Sequence, residues 1–379
     1  MELSAQKQTA EKLFEQLIYN LKSRGLTFDR FPALSQLTNA ELKVTSYQGS
    51  SSSEDFTTPV LQFLNDELRS KSDSFLQDEY PSLYRGLPGG ESLFIEREQK
   101  VISHVGIMSR RYRHPSFEME IGLIGSVVTR KEQRGEGLAS FLIQEAIKRL
   151  SKQGCTLVLL WSDQPDFYFP LGFHRAGNEL DFRISLKKAE GSRPCSRLLN
   201  KEKDLELIWK LYQKRSSRLD RSLAEMSALV DIPRTQIYVT ESNGKLDSYI
   251  AVNKGADFTN YIHEWSGSVE RVKGNIQDCQ NRFFSGVPLT LIAPFEKENE
   301  TFSEIADQSW KGSLGLVKNL DRTHLVKCFK SFCGESGGFV SETDYLKLND
   351  EELLLAVLGR DGLGSKPFLP LFLWGFDSI

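Results

Sequence analysis

Apolar residues at helical spacing open the chain. In MELSAQKQTAEKLFEQLIYNLKSRG, Leu13, Phe14, Leu17, Ile18 and Leu21 fall on one face and no apolar h-region is present, so the segment reads as an amphipathic helix and not as a signal peptide. A strand is predicted at ELKVTSYQ and a flexible loop at GSSSSEDFTTP. A helix follows, carrying Val60, Phe63, Leu64 and Leu68 and closed by YPSLYRGLPGG. From residue 92 the pattern becomes that of strands. SLFIERE, KVISHVGIMSRRYRH and FEMEIGLIGSVVT are separated by short polar turns, which predicts adjacent antiparallel strands. Helical spacing returns at Leu138, Phe141, Leu142, Ala146, Ile147 and Leu150, with Gly154 placed to end that helix. TLVLLW then reads as a buried strand, PDFYFPLGF as a short helix, and LDFRISL as a strand completing a unit by about residue 187.

After a linker at KKAEGSRPCSR, the second half gives a helix at EKDLELIWKLYQKRSSRLD and strands at TQIYVTES, DSYIAVNKG and YIHEWSG. A polar helix from about residue 268 and a strand at LTLIAPF complete it. This order echoes the first half. Past residue 300 the pattern loosens into SLGLVKNLD, a helical NDEELLLAVLG and an apolar tail, KPFLPLFLWGFDSI. Leu369, Leu371, Phe372, Leu373, Trp374 and Phe376 are too much apolar surface to leave in water, so the tail is expected to dock, as a strand or against the two halves. It is too short and too proline-rich to span a membrane.

Composition narrows the classes. The chain has 379 residues, 39% hydrophobic and 26% charged, the profile of a globular protein with room for two or three domains. A formal charge of -3 argues against duplex nucleic acid as a partner. Cys155, Cys195, Cys279, Cys328 and Cys333 are odd in number and form no CxxC pair or Cys–His set at ligand spacing, which fits a reduced, cytoplasmic protein without a metal.

The chemistry concentrates in QRGEGLAS, residues 133 to 140. No Lys-Ser or Lys-Thr follows its glycines, which excludes a Walker loop. A dinucleotide fingerprint would follow its strand directly, whereas the charged RKEQR run intervenes here. The third reading, favoured over the dinucleotide one, is R-x-x-G-x-A, with Arg134, Gly137 and Ala139 fixed between an antiparallel strand and an amphipathic helix. Backbone amides and the positive end of the helix dipole then face a pyrophosphate.

SVVTRKEQRGEGLASFLIQEAI followed by FYFPLGF resembles the core of the GCN5-related N-acetyltransferases (GNAT), over roughly residues 41 to 187. The resemblance implies an α+β fold with a mixed, mostly antiparallel sheet flanked by helices, and an acyl-CoA site, usually for acetyl-CoA. It implies that Val127, Val128 and Thr129 pair with the pantetheine arm. Gln133, Arg134, Gly135, Glu136, Gly137, Leu138 and Ala139 would hold the pyrophosphate, with Ser140 beginning the helix beneath. Tyr168 matches the tyrosine that protonates the departing thiolate. For the base, relatives use a strand glutamate, and Glu120 is the candidate, with Glu118 or a water chain behind it. Some tandem relatives instead place a terminal carboxylate in the site, so the tail either supplies that group or only completes the core. The second half lacks R-x-x-G-x-A, which suggests a decayed copy of the fold. The expected organisation is a helical segment at 1–40, a catalytic GNAT domain at 41–188, a degenerate GNAT-like domain at 189–300, and an extension at 301–379 packing on both. The expected activity is transfer of acetyl to a primary amine. The alternative is a non-catalytic CoA-binding or protein-interaction module.

Overall fold

The computed structural model describes residues 44–48, 54–85, 89–185, 196–334, 341–364 and 367–379. The helix expected within 1–40 and most of the KKAEGSRPCSR linker, including Cys195, lie outside the described residues.

The first sheet has the strand order β1-β2-β3-β4-β5-β15-β6: Val44–Gln48, Gly90–Arg97, Lys100–His114, Phe117–Thr129, Cys155–Leu160, Gly315–Asn319 and His174–Ala176. β2 through β4 form the predicted antiparallel meander, and β1 adds to its edge by pairing antiparallel with β2. Its period of two sorts side chains between two cores. Met119, Ile121 and Leu123 of β4 join a cluster with Val60, Phe63 and Leu64 of helix α1 (Glu54–Leu68). Ile124 instead meets Leu138, Leu142, Ile143, Ala146 and Leu150 of α2 (Leu138–Lys152) on the opposite face. α2 approaches β4 so closely that a Cβ on Gly122 would lie 2.7 Å from Leu150 Cδ1. The helix ends as expected, with Gly154 in the left-handed region at φ 81°. Arg149 and Lys152 sit in its last turn, where cations favour the dipole.

The crossover through α2 makes β5 parallel to β4. The second sheet repeats that connectivity in the order β14 (Gln308–Gly312), β7 (Glu179–Ile184), β13, β12, β11, β10 and β8 (Arg197–Leu198). Antiparallel β10 (Gln236–Ser242), β11 (Lys245–Val252) and β12 (Tyr261–Ser266) lead into helix α3 (Val269–Arg282). The chain then enters β13 (Leu289–Pro294), parallel to β12.

Several expectations need correcting. LDFRISL does not complete the first unit. As β7 (Glu179–Ile184) it pairs with β13 and with β14 (Gln308–Gly312), burying Leu180, Phe182 and Ile184 in the second core. In exchange β15 leaves the C-terminal third and inserts between β5 and β6. Sheet membership therefore crosses the bounds at residues 188 and 300. GSSSSEDFTTP is not wholly a loop, because α1 begins inside it at Glu54 and contains Pro59. The stretch after residue 300 holds a further helix, α4 (Arg322–Cys333), capped by the Asp321 side chain, which accepts from the His324 amide at 2.9 Å.

The tail docks, as extended chain rather than as a strand. Leu369, Leu371 and Leu373 face the first core while Phe372 and Trp374 face the second. The Tyr112 hydroxyl of β3 fixes this register by donating to the Pro370 carbonyl at 2.6 Å and accepting from the Phe372 amide at 3.2 Å. Among the described residues no helix is long and apolar enough to cross a membrane.

The strand exchange generates a stability prediction. A fragment ending at residue 188 keeps β5 without β15 and β7 without β13, so it is expected to lose the cooperative urea transition of the full chain by circular dichroism. A sharp transition in the fragment would contradict the exchange.

Candidate functional site

β4 and β5 pair from Glu120 and Cys155 only as far as Leu123 and Leu159. Beyond that point they part, and a cleft of about 660 Å³ opens between them. The cause lies in β4. Gly106 pairs with Gly125 and His104 with Val128, so β4 carries one more residue than β3 across this step. The result is a bulge, with Ser126 at φ 48°. A bulge raises local twist and takes main-chain groups out of the ladder. His104 holds it from beneath. Its ring Nδ1 lies 2.9 Å from the Ser126 carbonyl, which can only accept, so that nitrogen carries the proton. Burial lowers the His104 pKa to about 4, the backbone hydrogen bond opposing it.

The glycine turn forms the mouth of the cleft. Gly135 and Gly137 have φ of 88° and 81°, values that favour glycine. Gly137 is the N-cap of α2 and no side chain caps that helix. The first-turn amides, which have no intrahelical acceptor, therefore stay free to meet an anion. Gln133 adds a buried amide oxygen with no partner among the described residues. The Arg134 side chain is largely exposed, donates from Nε to the Thr129 carbonyl at 3.1 Å and lies 3.7 Å from Glu67 of α1. In the second sheet the matching helix end differs, because Ser268 caps α3 by accepting from the Arg271 amide at 3.4 Å.

The cleft brings together most of the residues singled out in the sequence. Val127, Val128 and Thr129, Gln133 to Gly135, Gly137 to Ser140 and Tyr168 all line it. Glu136 does not line it; its carboxylate pairs with Arg97 at 3.0 Å. Glu120 is not brought there either. It is bound to Arg111 Nε at 2.8 Å, five residues before Gly125, roughly 16 Å of strand at about 3.3 Å per residue. Glu118 pairs with Arg113 nearby. Glu67 and Leu68, at the end of α1, and Ser162, after β5, were missed as lining residues. Nothing local in their sequence marks them.

Tyr168 is 6% exposed, packed edge-on against Phe167 and Phe173 at ring distances of 4.9 and 6.0 Å. Burial holds its phenol above the ordinary value, outweighing the hydrogen bond with Ser162. The tail packs beside the bulge: Ile379 lies on Gly125 so tightly that a Cβ there would overlap its main-chain carbonyl.

Residues 62–176, from within α1 to the end of β6, match the model of the acetyltransferase (GNAT) domain. Solved structures share the wider fold, each aligned over 76% of this chain. A probable N-acyltransferase from Enterococcus faecalis has a TM-score of 0.57 at 15% identity over 74% of its own length. A GCN5-related N-acetyltransferase from Anabaena variabilis has 0.55 at 16% over 75%, and one from Kribbella flavida 0.53 at 14% over 74%. At these identities the likeness is one of fold. No curated protein matches the chain significantly.

His104 supplies a pH test of the bulge. Its folded value lies below the unfolded one of about 6.5, so the unfolded chain binds the proton first. The stability it contributes is complete above pH 6.5 and is lost as pH falls towards 4. The urea midpoint of the wild type, measured against that of His104→Asn, is expected to lose ground over that window. A pH-independent difference would contradict a buried neutral imidazole.

Proposed function

We propose that the protein is an acyl-CoA-dependent N-acyltransferase that transfers acetyl from acetyl-CoA to a primary amine by direct attack. The observation that carries this reading is the meeting, in one cleft, of an uncapped helix end behind a glycine turn, a bulged strand edge and a buried phenol. The free amides of α2 and the Gln133–Gly137 turn receive the pyrophosphate. The unpaired edge at Val127 to Thr129 receives the pantetheine arm. Amides released by the bulge polarise the thioester carbonyl, where charge develops as the amine attacks.

The carbon–nitrogen bond forms and the carbon–sulfur bond breaks. Tyr168 gives its proton to the departing sulfur, a role suited to a phenol that burial keeps protonated. The proton lost by the amine leaves through a water chain, the route that stands behind Glu120. Glu120 itself is committed to Arg111 at 2.8 Å, well before the bulge on the same strand. The catalytic unit is the first sheet with its helices, completed by β15, and the second sheet is a companion on the acceptor side. The reduced, buried cysteines among the described residues support a cytoplasmic setting.

The test is thiol release from acetyl-CoA with a panel of primary amines. Tyr168→Phe keeps the ring and removes the proton donor, so turnover is expected to fall roughly ten- to a thousandfold with acetyl-CoA affinity unchanged. An unchanged rate at every pH would remove Tyr168 from the reaction. Tight acetyl-CoA binding without thiol release for any amine would favour a non-catalytic CoA-binding module.

A further inference from the structure

The second sheet opens a cleft of its own. β12 and β13 pair only at Tyr261 with Thr290 and at Ile262 with Leu291. Beyond those pairs the strands part, and a cleft of about 430 Å³ opens beside the start of α3. Its place in the topology matches that of the acyl cleft in the first sheet, but its lining differs. No glycine turn precedes α3, Ser268 caps the helix, and Glu270, Glu296 and Glu298 line the cleft as exposed residues. Three carboxylates at the mouth repel a polyphosphate, so the cleft is not built for a second acyl-CoA.

Its wall carries aromatic rings that hold one another in place. Trp265 of β12 donates its indole N–H to the Ile292 carbonyl at 3.1 Å, and Trp374 of the tail meets Trp265 edge-on at 5.3 Å and Phe372 at 4.8 Å. Arg215, two residues past the helix Lys201–Gln213, lays its guanidinium over Trp374 at 3.7 Å from the ring centre. Its Nη2 donates to the Trp265 carbonyl, and to the Tyr249 hydroxyl at 3.3 Å. Nη1 is buried and has no acceptor among the described residues. The indole nitrogen of Trp374, a residue 4% exposed, is in the same condition. No carboxylate among the described residues forms an ion pair with Arg215. Glu264 of β12 is taken by Arg221 at 2.9 and 3.1 Å and by the Tyr249 hydroxyl at 2.8 Å.

A guanidinium and an indole offer donors only, so neither can satisfy the other. Donors cut off from water cost free energy until an acceptor reaches them. The acceptor that suits both is an oxyanion, since bonds from a guanidinium to a carboxylate are among the strong ones. Apolar rings around a few polar groups are the ordinary lining of a small-molecule site of this size. We infer that the cleft of the second sheet binds a small organic monocarboxylate with an apolar, ring-sized body. Its carboxylate accepts from Arg215 and Trp374, and its body lies against Trp265 and Phe372. The exposed glutamates restrict the ligand to one negative charge, because a second would stand among them. This site goes beyond acyl transfer and shares no lining residue with the acyl cleft.

The test uses the full chain, labelled at its indole nitrogens for NMR, and follows the Trp374 signal, identified by its loss in Trp374→Phe. Phenylpropionate is expected to shift that signal saturably, and phenylpropanol, phenylpropylamine and inorganic pyrophosphate to leave it in place. Arg215→Met is expected to weaken phenylpropionate binding at least about tenfold, the loss of a hydrogen bond to a charged group. Glu296→Gln, at an exposed position, is expected to tighten it about two- to fivefold and keeps the test decisive if Arg215→Met fails to fold. Acetyl-CoA affinity should be unchanged in both variants. The carboxylate site is overturned by the absence of a saturable shift with the acid, by equal binding of the alcohol or the amine, or by undiminished binding in a folded Arg215→Met chain. An unmoved affinity in Glu296→Gln overturns the restriction to one charge. None of these readings depends on turnover, so a failure of the acyl-transfer reading would leave them standing.

Discussion

Strands β4 and β5 run side by side only to Leu123 and Leu159, because the extra residue at Ser126 turns the remainder of β4 out of register with its neighbours. A continuous parallel pair would satisfy its own main chain and leave nothing for a ligand. The parting instead frees one edge of β4, aims the uncapped end of α2 at the gap and leaves Tyr168 on its wall. Two glycines make this possible in different ways. Gly122 lets α2 come down onto β4, and Gly125 leaves room on the strand for Ile379. The first lets the helix pack onto the strand, and the second admits the tail.

The tail ties this local geometry to the rest of the chain. Its alternating residues are shared between two cores, and each large apolar side chain so buried contributes about 1.5–3 kcal/mol relative to exposure. The exchange of β7 for β15 binds the two sheets further, since neither is complete without strands from both sides of the expected bounds. A third link runs through Arg69 at the end of the first helix, which pairs with both Glu79 and Asp257 at 2.6 Å. The cleft is lined by residues from Glu67 to Tyr168, and the strand exchange and the shared tail join its sheet to the second one.

Much of this was legible in the sequence, for physical reasons that also explain what was not. The glycine turn, the helix it opens, the C-terminal Gly154 and the apolar excess of the tail are local signals, carried by backbone requirements and by the cost of wet apolar surface. The choice of sheet is not local. LDFRISL alternates as a strand should, but nothing in its period tells it to pair with β13. Glu120 shows a related limit. Its spacing put it on the right strand, while its distance from the bulge depended on where β4 takes its extra residue. The α4 helix shows the opposite case: Leu325, Val326 and Phe329 keep helical spacing behind the Asp321 cap, and the signal was there to be read.

The central claim is that the opening of α2 receives the pyrophosphate of acyl-CoA. Calorimetric titration of acetyl-CoA into the wild type and into Gly137→Val tests it most directly. Valine at this left-handed position disturbs the turn and puts a side chain at the mouth of the cleft, so wild-type binding at one site with its loss in a variant of unchanged circular dichroism is the predicted result. Undiminished affinity in the folded variant would contradict it.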